Sequence, residues 1–300
     1  NGWARSIAEK DDIDGFIDDV FPEKLLCDKP VIRSNEVPNA ALVVSAIVGE
    51  RPLLAMRRIN ELGMAALDYY AFQKYSGLVL YEVMFLGDFE RDFKANRYRY
   101  EWLYKSLEDA ESRRILDRLI NFRLTRDLHF MDGFVDAQDR QYFEPFLELQ
   151  EADESFLDVG CYNGFTSLEF IKRCPDYKSI HVFEPESGNM EKVKSRLAEY
   201  PNIHFHPYGV SDKEQTLRFR SAGSASVVSD DGDLSIEVNR IDDVIHDSFT
   251  FLKMDIEGAE ILVLSAMLAA NFLPMQLLVE FDELNFPSRK GRKRFDKIHR

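Results

Sequence analysis

Lys253, Asp255, Glu257 and Glu260 crowd into one short stretch, FLKMDIEGAEILVL (Phe251 to Leu264), between two apolar runs. Charge at that density, where a core element belongs, has three physical readings: caps of a helix start, ligands of a hard cation, or groups lining the mouth of a ligand site. On a strand, Lys253, Asp255 and Glu257 share one face, while Leu252, Met254 and Ile256 share the other. Three charges on one face are costly to bury without partners, so that face is expected to open onto a cleft. An acid opening a helix contributes only ~0.3–1 kcal/mol. That role suits Glu260, for which capping and function remain equal alternatives, but not Asp255, which falls within the strand. Asp255, Glu257 and Glu260 could hold Mg²⁺ or Ca²⁺ with waters. No second ligand cluster accompanies them, and no metal is assigned.

A second constellation lies upstream in SFLDVGCYNGFTSLEFIKRC. A strand ends at Asp158, glycines follow at Gly160 and Gly164 with Tyr162 between them, and Thr166 opens a segment with helical spacing at Leu168, Phe170 and Ile171. Glycines at such a turn let backbone approach a ligand, and the helix start offers free N–H groups. The next strand, SIHVFEPE, ends in Glu184, twenty residues after Gly164. A carboxylate there can accept two hydrogen bonds from a ribose diol. A third strand runs through IHFHPYGVSD, placing Ser211 and Asp212 where an adenine amine could be read; the alternative is an Asx turn. The loop lacks the middle glycine of a dinucleotide fingerprint and places an acid two residues before its first glycine.

These residues need strands and helices to position them. From Ser155 onward the pattern alternates strand and helix, with a β-rich excursion (QTLRFR, LSIEVN) before the fourth strand and MQLLVEF as the fifth. The uncharged run Ile261–Val279 approaches the length of a membrane span, but Asn271, Pro274 and Gln276 break it into a helix over 259–270 and a buried strand. His204 and His206 alternate with Ile203 and Phe205, as on a strand with one solvent face. The first 75 or so residues also alternate: DIDGFID as a strand, ALVVSAIVG as a strand buried on both faces, a helix through Leu54, Met56, Ile59 and Leu62, and AALDYYAF as a further strand. Asp18 and Asp19 sit where a ribose-binding acid would be, or are simply turn aspartates. The chain opens at Asn1 without a preceding strand, so a first strand and glycine loop are expected upstream. Ile115, Leu116, Leu119 and Ile120 form the stripe of an amphipathic connector helix. The expected organisation is therefore a Rossmann-like unit over 1–90, a helical connector over 91–127 and a second domain over 128–300.

Bulk properties narrow the partners. The net charge of −15 disfavours wrapping a nucleic-acid backbone or an anionic membrane with the whole surface. Three scattered cysteines (Cys27, Cys161, Cys174) fit neither a disulfide framework nor a zinc site, which points to a reducing, cytoplasmic setting. The tail PSRKGRKRFDKIHR holds seven Lys or Arg in fourteen residues, a solvated segment or a surface for an anionic partner.

The blocks DVGCYNGFTSLEF, VFEPE, GVSD and FLKMDIEGAEILVL, in this order and spacing, resemble the FkbM family of methyltransferases. The resemblance covers roughly Asn121 to Glu280, with the K-x-D-x-E-G-x-E hallmark matched by Lys253, Asp255, Glu257, Gly258 and Glu260. It departs at Cys161, Asn163 and Phe165, and the chain stops before the final strand pair of such a fold. The resemblance implies a class I α/β fold, a three-layer αβα Rossmann-like sheet, and S-adenosylmethionine as cofactor. That cofactor carries an ammonium and a sulfonium and no phosphate, so an acidic loop suits it. It further implies an oxygen acceptor on a sugar or natural-product-like small molecule. Asp255 would orient or deprotonate that hydroxyl with Lys253 tuning its charge, Glu257 would face the acceptor, and Asp158, Gly160, Tyr162, Gly164, Thr166, Glu184, Ser211 and Asp212 would surround the cofactor. Two other functions remain open: an NAD(P)-dependent oxidoreductase using the N-terminal unit, and a non-enzymatic sugar- or partner-binding protein.

Overall fold

In the computed structural model, residues 2–48, 51–83, 86–134, 140–220, 227–228, 234–256 and 258–281 are described. The chain divides into two compact units, Asn1–Val135 and Asp136–Arg300.

The first unit contains α1 (Gly2–Ala8), β1 (Phe16–Ile17), β2 (Leu25–Leu26), β3 (Lys29–Ile32), β4 (Leu42–Ser45), α2 (Pro52–Glu61), β5 (Ala65–Asp68), α3 (Tyr69–Tyr75), α4 (Phe89–Ser106) and α5 (Ala110–Thr125). The β4–α2–β5 segment is a parallel strand–helix–strand unit, as the alternation predicts. The three short strands β1, β3 and β2 form a separate mixed sheet. Several strands fall short of their sequence patterns. DIDGFID yields only Phe16–Ile17, and β4 is not buried on both faces, since Leu42 is 61% exposed. AALDYYAF stops being a strand at Asp68, because its carboxylate accepts the Ala71 N–H and starts α3 instead. Asp18 accepts the N–H groups of Val20 and Phe21, the geometry of a turn aspartate, whereas Asp19 accepts that of Ser34, fifteen residues on. Helix α5 packs Phe122 into this unit's core with Ile7, Tyr69, Tyr70 and Leu86, while Ile115 and Leu119 of its apolar stripe stay exposed.

The second unit contains β6 (Ser155–Val159), α6 (Phe165–Arg173), β7 (Ser179–Phe183), α7 (Ser187–Leu197), β8 (Ile203–His206), β9 (Gly209–Val210), β10 (Gln215–Arg220), β11 (Val227–Val228), β12 (Leu234–Asn239), α8 (Ile241–Val244), β13 (Phe251–Met254), α9 (Glu260–Ala269) and β14 (Gln276–Val279). Five strands make one parallel sheet in the order β14-β13-β6-β7-β8. The chain steps outward from β6 to β8, then returns to the other side of β6 through β13. The C-terminal edges of β6 and β13 therefore flank a topological switch point, where open α/β sheets place ligands. Apolar clusters cover both faces. Phe156, Phe170 and Phe251 stack on one side, with centroids 4.5 Å (Phe156–Phe170) and 5.0 Å (Phe156–Phe251) apart. Leu157, Val159, Leu252 and Met254 join Val263 and Met267 of α9 on the other.

The third strand is shorter than its pattern. It ends at His206, and after Pro207, which has no N–H to donate, Gly209–Val210 pairs with β12 in a four-stranded sheet of order β11-β10-β12-β9. His181, His204 and His206 stack across β7 and β8, and burial holds His181 and His206 down to about 4. Cys161 and Cys174 are buried free thiols and Cys27 is an exposed one. No described helix is long and apolar enough to cross a membrane.

Gly160 fixes how closely the first loop meets β13. Its φ is +79°, and a Cβ there would stand 1.8 Å from the Asp255 carbonyl oxygen. Gly164 has a similar φ of +76°, but its Cβ would meet a Val193 methyl at 3.3 Å, which can yield. Gly164→Ala is expected to lose only the left-handed backbone term, ~1–2 kcal/mol. Gly160→Ala should lose clearly more, because its obstacle is backbone. Chemical denaturation of the two variants side by side checks this, and equal losses would show that the Asp255 carbonyl gives way.

Candidate functional site

The register of the central strands sets Lys253 opposite Asp158. The Lys253 side chain is only 2% exposed. Its Nζ donates to the Gly160 carbonyl at 2.7 Å and lies 3.6 Å from both Asp158 Oδ1 and Asp255 Oδ2. The ammonium also sits 4.9 Å from the centroid of the Tyr142 ring. The charged face of β13 is thus not an open wall at Lys253. It is a buried ion cluster with matched partners, which satisfies the same energetic demand in another way.

Asp158 is fully buried. Its Oδ2 accepts the Ser167 hydroxyl at 2.7 Å, whereas its Oδ1 has the Lys253 ammonium nearby and no hydrogen bond. Burial pushes this carboxyl up, and Lys253 pulls it back. Asp158 therefore stands behind the cavity described next, as a support for the loop and for Lys253.

A cavity of about 640 Å³ opens at the switch point. Gly160, Tyr162, Thr166, Glu184, Lys253 and Asp255 line it, joining both constellations read from the sequence. Gly164 instead forms the N-cap position of α6, packed against Val193. Backbone N–H groups of Gly160 and Cys161 both donate to the Phe183 carbonyl at 3.1 Å, fastening the loop to the end of β7. One residue beyond β7, Glu184 is 7% exposed, and its Oε1 accepts the Glu186 N–H at 2.9 Å. Burial raises this carboxyl to about 7. Val210, Ile236 and Val238 supply an apolar wall from the four-stranded sheet.

Ser211 and Asp212 lie outside the cavity's lining. Because β9 left the main sheet, their polar groups meet each other, Gln215 and Arg240. Glu257 lies outside the described residues, as does the basic tail. Glu260 resolves as a structural acid. It is fully buried and accepts the N–H groups of Ile256 and Gly258 at 3.0–3.1 Å, which holds the turn before α9. No group of three His, Cys, Asp or Glu suited to a metal ion occurs among the described residues.

β13 ends at Met254, so Asp255 is the first residue past the strand, although its N–H still bonds Val159. Its side chain is 25% exposed. Two residues unmarked by any motif complete the rim. The Tyr142 hydroxyl lies 2.9 Å from Asp255 Oδ2 and 2.9 Å from Glu280 Oε2, and the Gln141 amide donates to the same Glu280 oxygen at 3.4 Å. Glu280 had a readable signal: it follows β14 as Asp255 follows β13, on the ligand edge of the sheet. Tyr142 had none, since it precedes the first strand of the sheet in an irregular segment.

Residues 158–297 match the family model of the methyltransferase FkbM domain. That stretch of the chain is similar to an FkbM methyltransferase domain. A solved structure, the methyltransferase FkbM from Methylobacillus flagellatus KT, superposes with a TM-score of 0.72 at 19% identity, over 96% of this chain and 80% of that one. At that identity the likeness speaks for the fold. No curated protein matches the chain in sequence. The FkbM match begins at Asp158, so Tyr142 lies outside it while Lys253, Asp255 and Glu280 lie inside.

The ion cluster predicts a specific stability pattern. Lys253→Met leaves Asp158 buried without its cation and should cost about 3–5 kcal/mol. Adding Asp158→Asn in that background removes the stranded charge and should recover part of the loss. Denaturant unfolding of the single and double variants tests this; strictly additive losses would mean that the two groups do not sense each other.

Proposed function

We propose that the FkbM-like domain binds S-adenosylmethionine in this cavity and methylates a hydroxyl oxygen on a small molecule of the sugar or natural-product kind. The observation that carries the reading is the meeting of Glu184 and Asp255 in one cavity at the C-terminal edge of the parallel sheet. The donor set suits the cofactor. Glu184, Asp255 and Glu280 make the lining acidic, and Lys253 is held by the Gly160 carbonyl, which fits a ligand that carries positive charge and no phosphate. The volume lies in the usual range for a small-molecule site, ~300–1,000 Å³.

When bound, the cofactor supplies an electrophilic methyl carbon on a sulfonium. Glu184 would hold the ribose diol, Gly160, Tyr162 and Thr166 of the loop would line its path, and Val210, Ile236 and Val238 would offer the base an apolar surface. Transfer of this kind is an in-line displacement, so the protein's work is to align the hydroxyl and exclude water. Asp255, at the rim beside Lys253, would orient the acceptor hydroxyl and take its proton.

Glu184 gives the cofactor half of this reading a pH signature. With no ligand the carboxyl titrates at about 7, raised by burial. A ribose diol donates to the carboxylate form, so binding favours the ionised state. Affinity for S-adenosylhomocysteine should then rise about tenfold from pH 6 to pH 8 and level off above. Glu184→Ala should weaken binding by ~1.5–3 kcal/mol and abolish the slope. Calorimetry across that range measures both, and a flat wild-type profile with unchanged affinity in the variant would remove Glu184 from the cofactor site.

Asp255 gives the acceptor half its own test. Asp255→Asn should leave folding and S-adenosylhomocysteine affinity nearly intact while methyl transfer falls ~100-fold or more. Loss of cofactor affinity with normal turnover at saturating cofactor would show that Asp255 serves the cofactor and not the acceptor.

A further inference from the structure

The Tyr142 hydroxyl faces two carboxylates at the same distance, 2.9 Å to Asp255 and 2.9 Å to Glu280. A phenol carries one proton and donates one hydrogen bond at a time. Here two acceptors compete for it on equal terms. Burial, with both acids beside it, pushes the Tyr142 ionisation far above the ordinary phenol range, so the proton stays on the oxygen. The ring is placed against the Lys253 ammonium, and Glu280 is held from its other side by Gln141. What is free to change is the direction of the O–H bond.

The charged and titratable groups around Asp255 come from four segments. Lys253 belongs to its own strand, Asp158 lies behind Lys253 on β6, Tyr142 precedes β6, and Glu280 follows β14. Among these, Tyr142 alone touches both Asp255 and Glu280.

We propose that Tyr142 is a switchable positioning residue: its O–H points to Asp255 while that carboxylate waits as a base, and turns to Glu280 when Asp255 takes the acceptor's proton. The inference rests on the reading of Asp255 as the group that takes this proton. In the transfer, the acceptor oxygen forms its bond to the methyl carbon, the carbon–sulfur bond breaks with its electron pair going to sulfur, and the hydroxyl proton goes to Asp255. A newly neutral Asp255 is a poorer acceptor than an ionised Glu280, since hydrogen bonds to charged groups are the stronger ones. The phenol then exchanges one charge-assisted bond for another instead of losing it. Glu280 is what makes the exchange possible.

The test reads Asp255 directly. Protein carrying ¹³C-carboxyl aspartate is titrated by NMR, with the Asp255 signal assigned by its disappearance in Asp255→Asn. Tyr142→Phe keeps the ring over Lys253 and removes the donor, so the Asp255 midpoint should rise by about one pH unit. Glu280→Gln removes the competing charge and should lower the midpoint. That lowering should shrink by half or more in the Tyr142→Phe background, because the phenol transmits it. An equal lowering in both backgrounds would mean that Glu280 acts on Asp255 through charge alone, and the switch would be wrong. Should Tyr142→Phe fail to fold, the wild-type ring carbon bearing the Tyr142 oxygen must shift together with the Asp255 titration; a signal that stays fixed overturns the proposal equally. The functional reading is separated by Asp255→Asn, whose full methyl transfer would refute Asp255 as base even if the coupling to Tyr142 were present.

Discussion

The hydrogen bond from the Lys253 ammonium to the Gly160 carbonyl is the interaction on which the site depends. It ties the end of β13 to the first loop across the switch point of the sheet. A lysine there needs counter-charge, and the parallel register supplies Asp158 directly opposite, with Asp255 two residues further along. Gly160 must be glycine for the loop to come close enough, because any Cβ would strike the Asp255 carbonyl. One buried cation therefore determines the glycine, the aspartate behind it and the position of the aspartate in front. The arrangement is specific more than it is stabilising. Desolvating such a cluster offsets much of its Coulomb energy, and one geometry places the Gly160 carbonyl and both aspartates around the lysine.

The methyltransferase-like sheet was legible in the sequence because its central strands are buried on both faces and its strands are separated by helices of ordinary period. Phe251–Met254 and Ser155–Val159 read as apolar runs, and both are strands. Period-2 alternation correctly separated Leu252 and Met254 from Lys253. It could not tell whether a charged face opens to a cleft or closes over internal partners. That depends on register with β6, which sequence alone does not specify when both strands are nearly all apolar. Asp158 meets the same limit: a strand-end acid before a glycine reads as a ligand group, and only the neighbouring strand shows the lysine set opposite it.

Other differences trace to single residues. Pro207 ended β8 early and sent Gly209–Val210 into another sheet, which carried Ser211 and Asp212 away from the cavity. Asp68 converted the tail of a strand pattern into a helix cap. In the first unit the strands are short and half-exposed, so tertiary context decided what local pattern could not. Tyr142 was invisible because an irregular segment carries no periodicity to mark which of its side chains turns inward.

The rim shows how a site can be built from one edge of a parallel sheet. Asp255 and Glu280 follow neighbouring strands in register, since β13 pairs β14 through Met254 and Val279. Parallel pairing brings the first residues beyond two strand ends side by side, and here both are acids. Two carboxylates so placed repel unless something stands between them. Tyr142 occupies that position with one proton for two acceptors, and Lys253 lies beneath its ring. The cation lies 3.6 Å from Asp255, and the phenol oxygen lies 2.9 Å from each acid, so a single O–H stands where either carboxylate can accept it. Sheet geometry thus forces the acids together, and the two groups that relieve their repulsion are the same two that orient Asp255 at the cavity mouth.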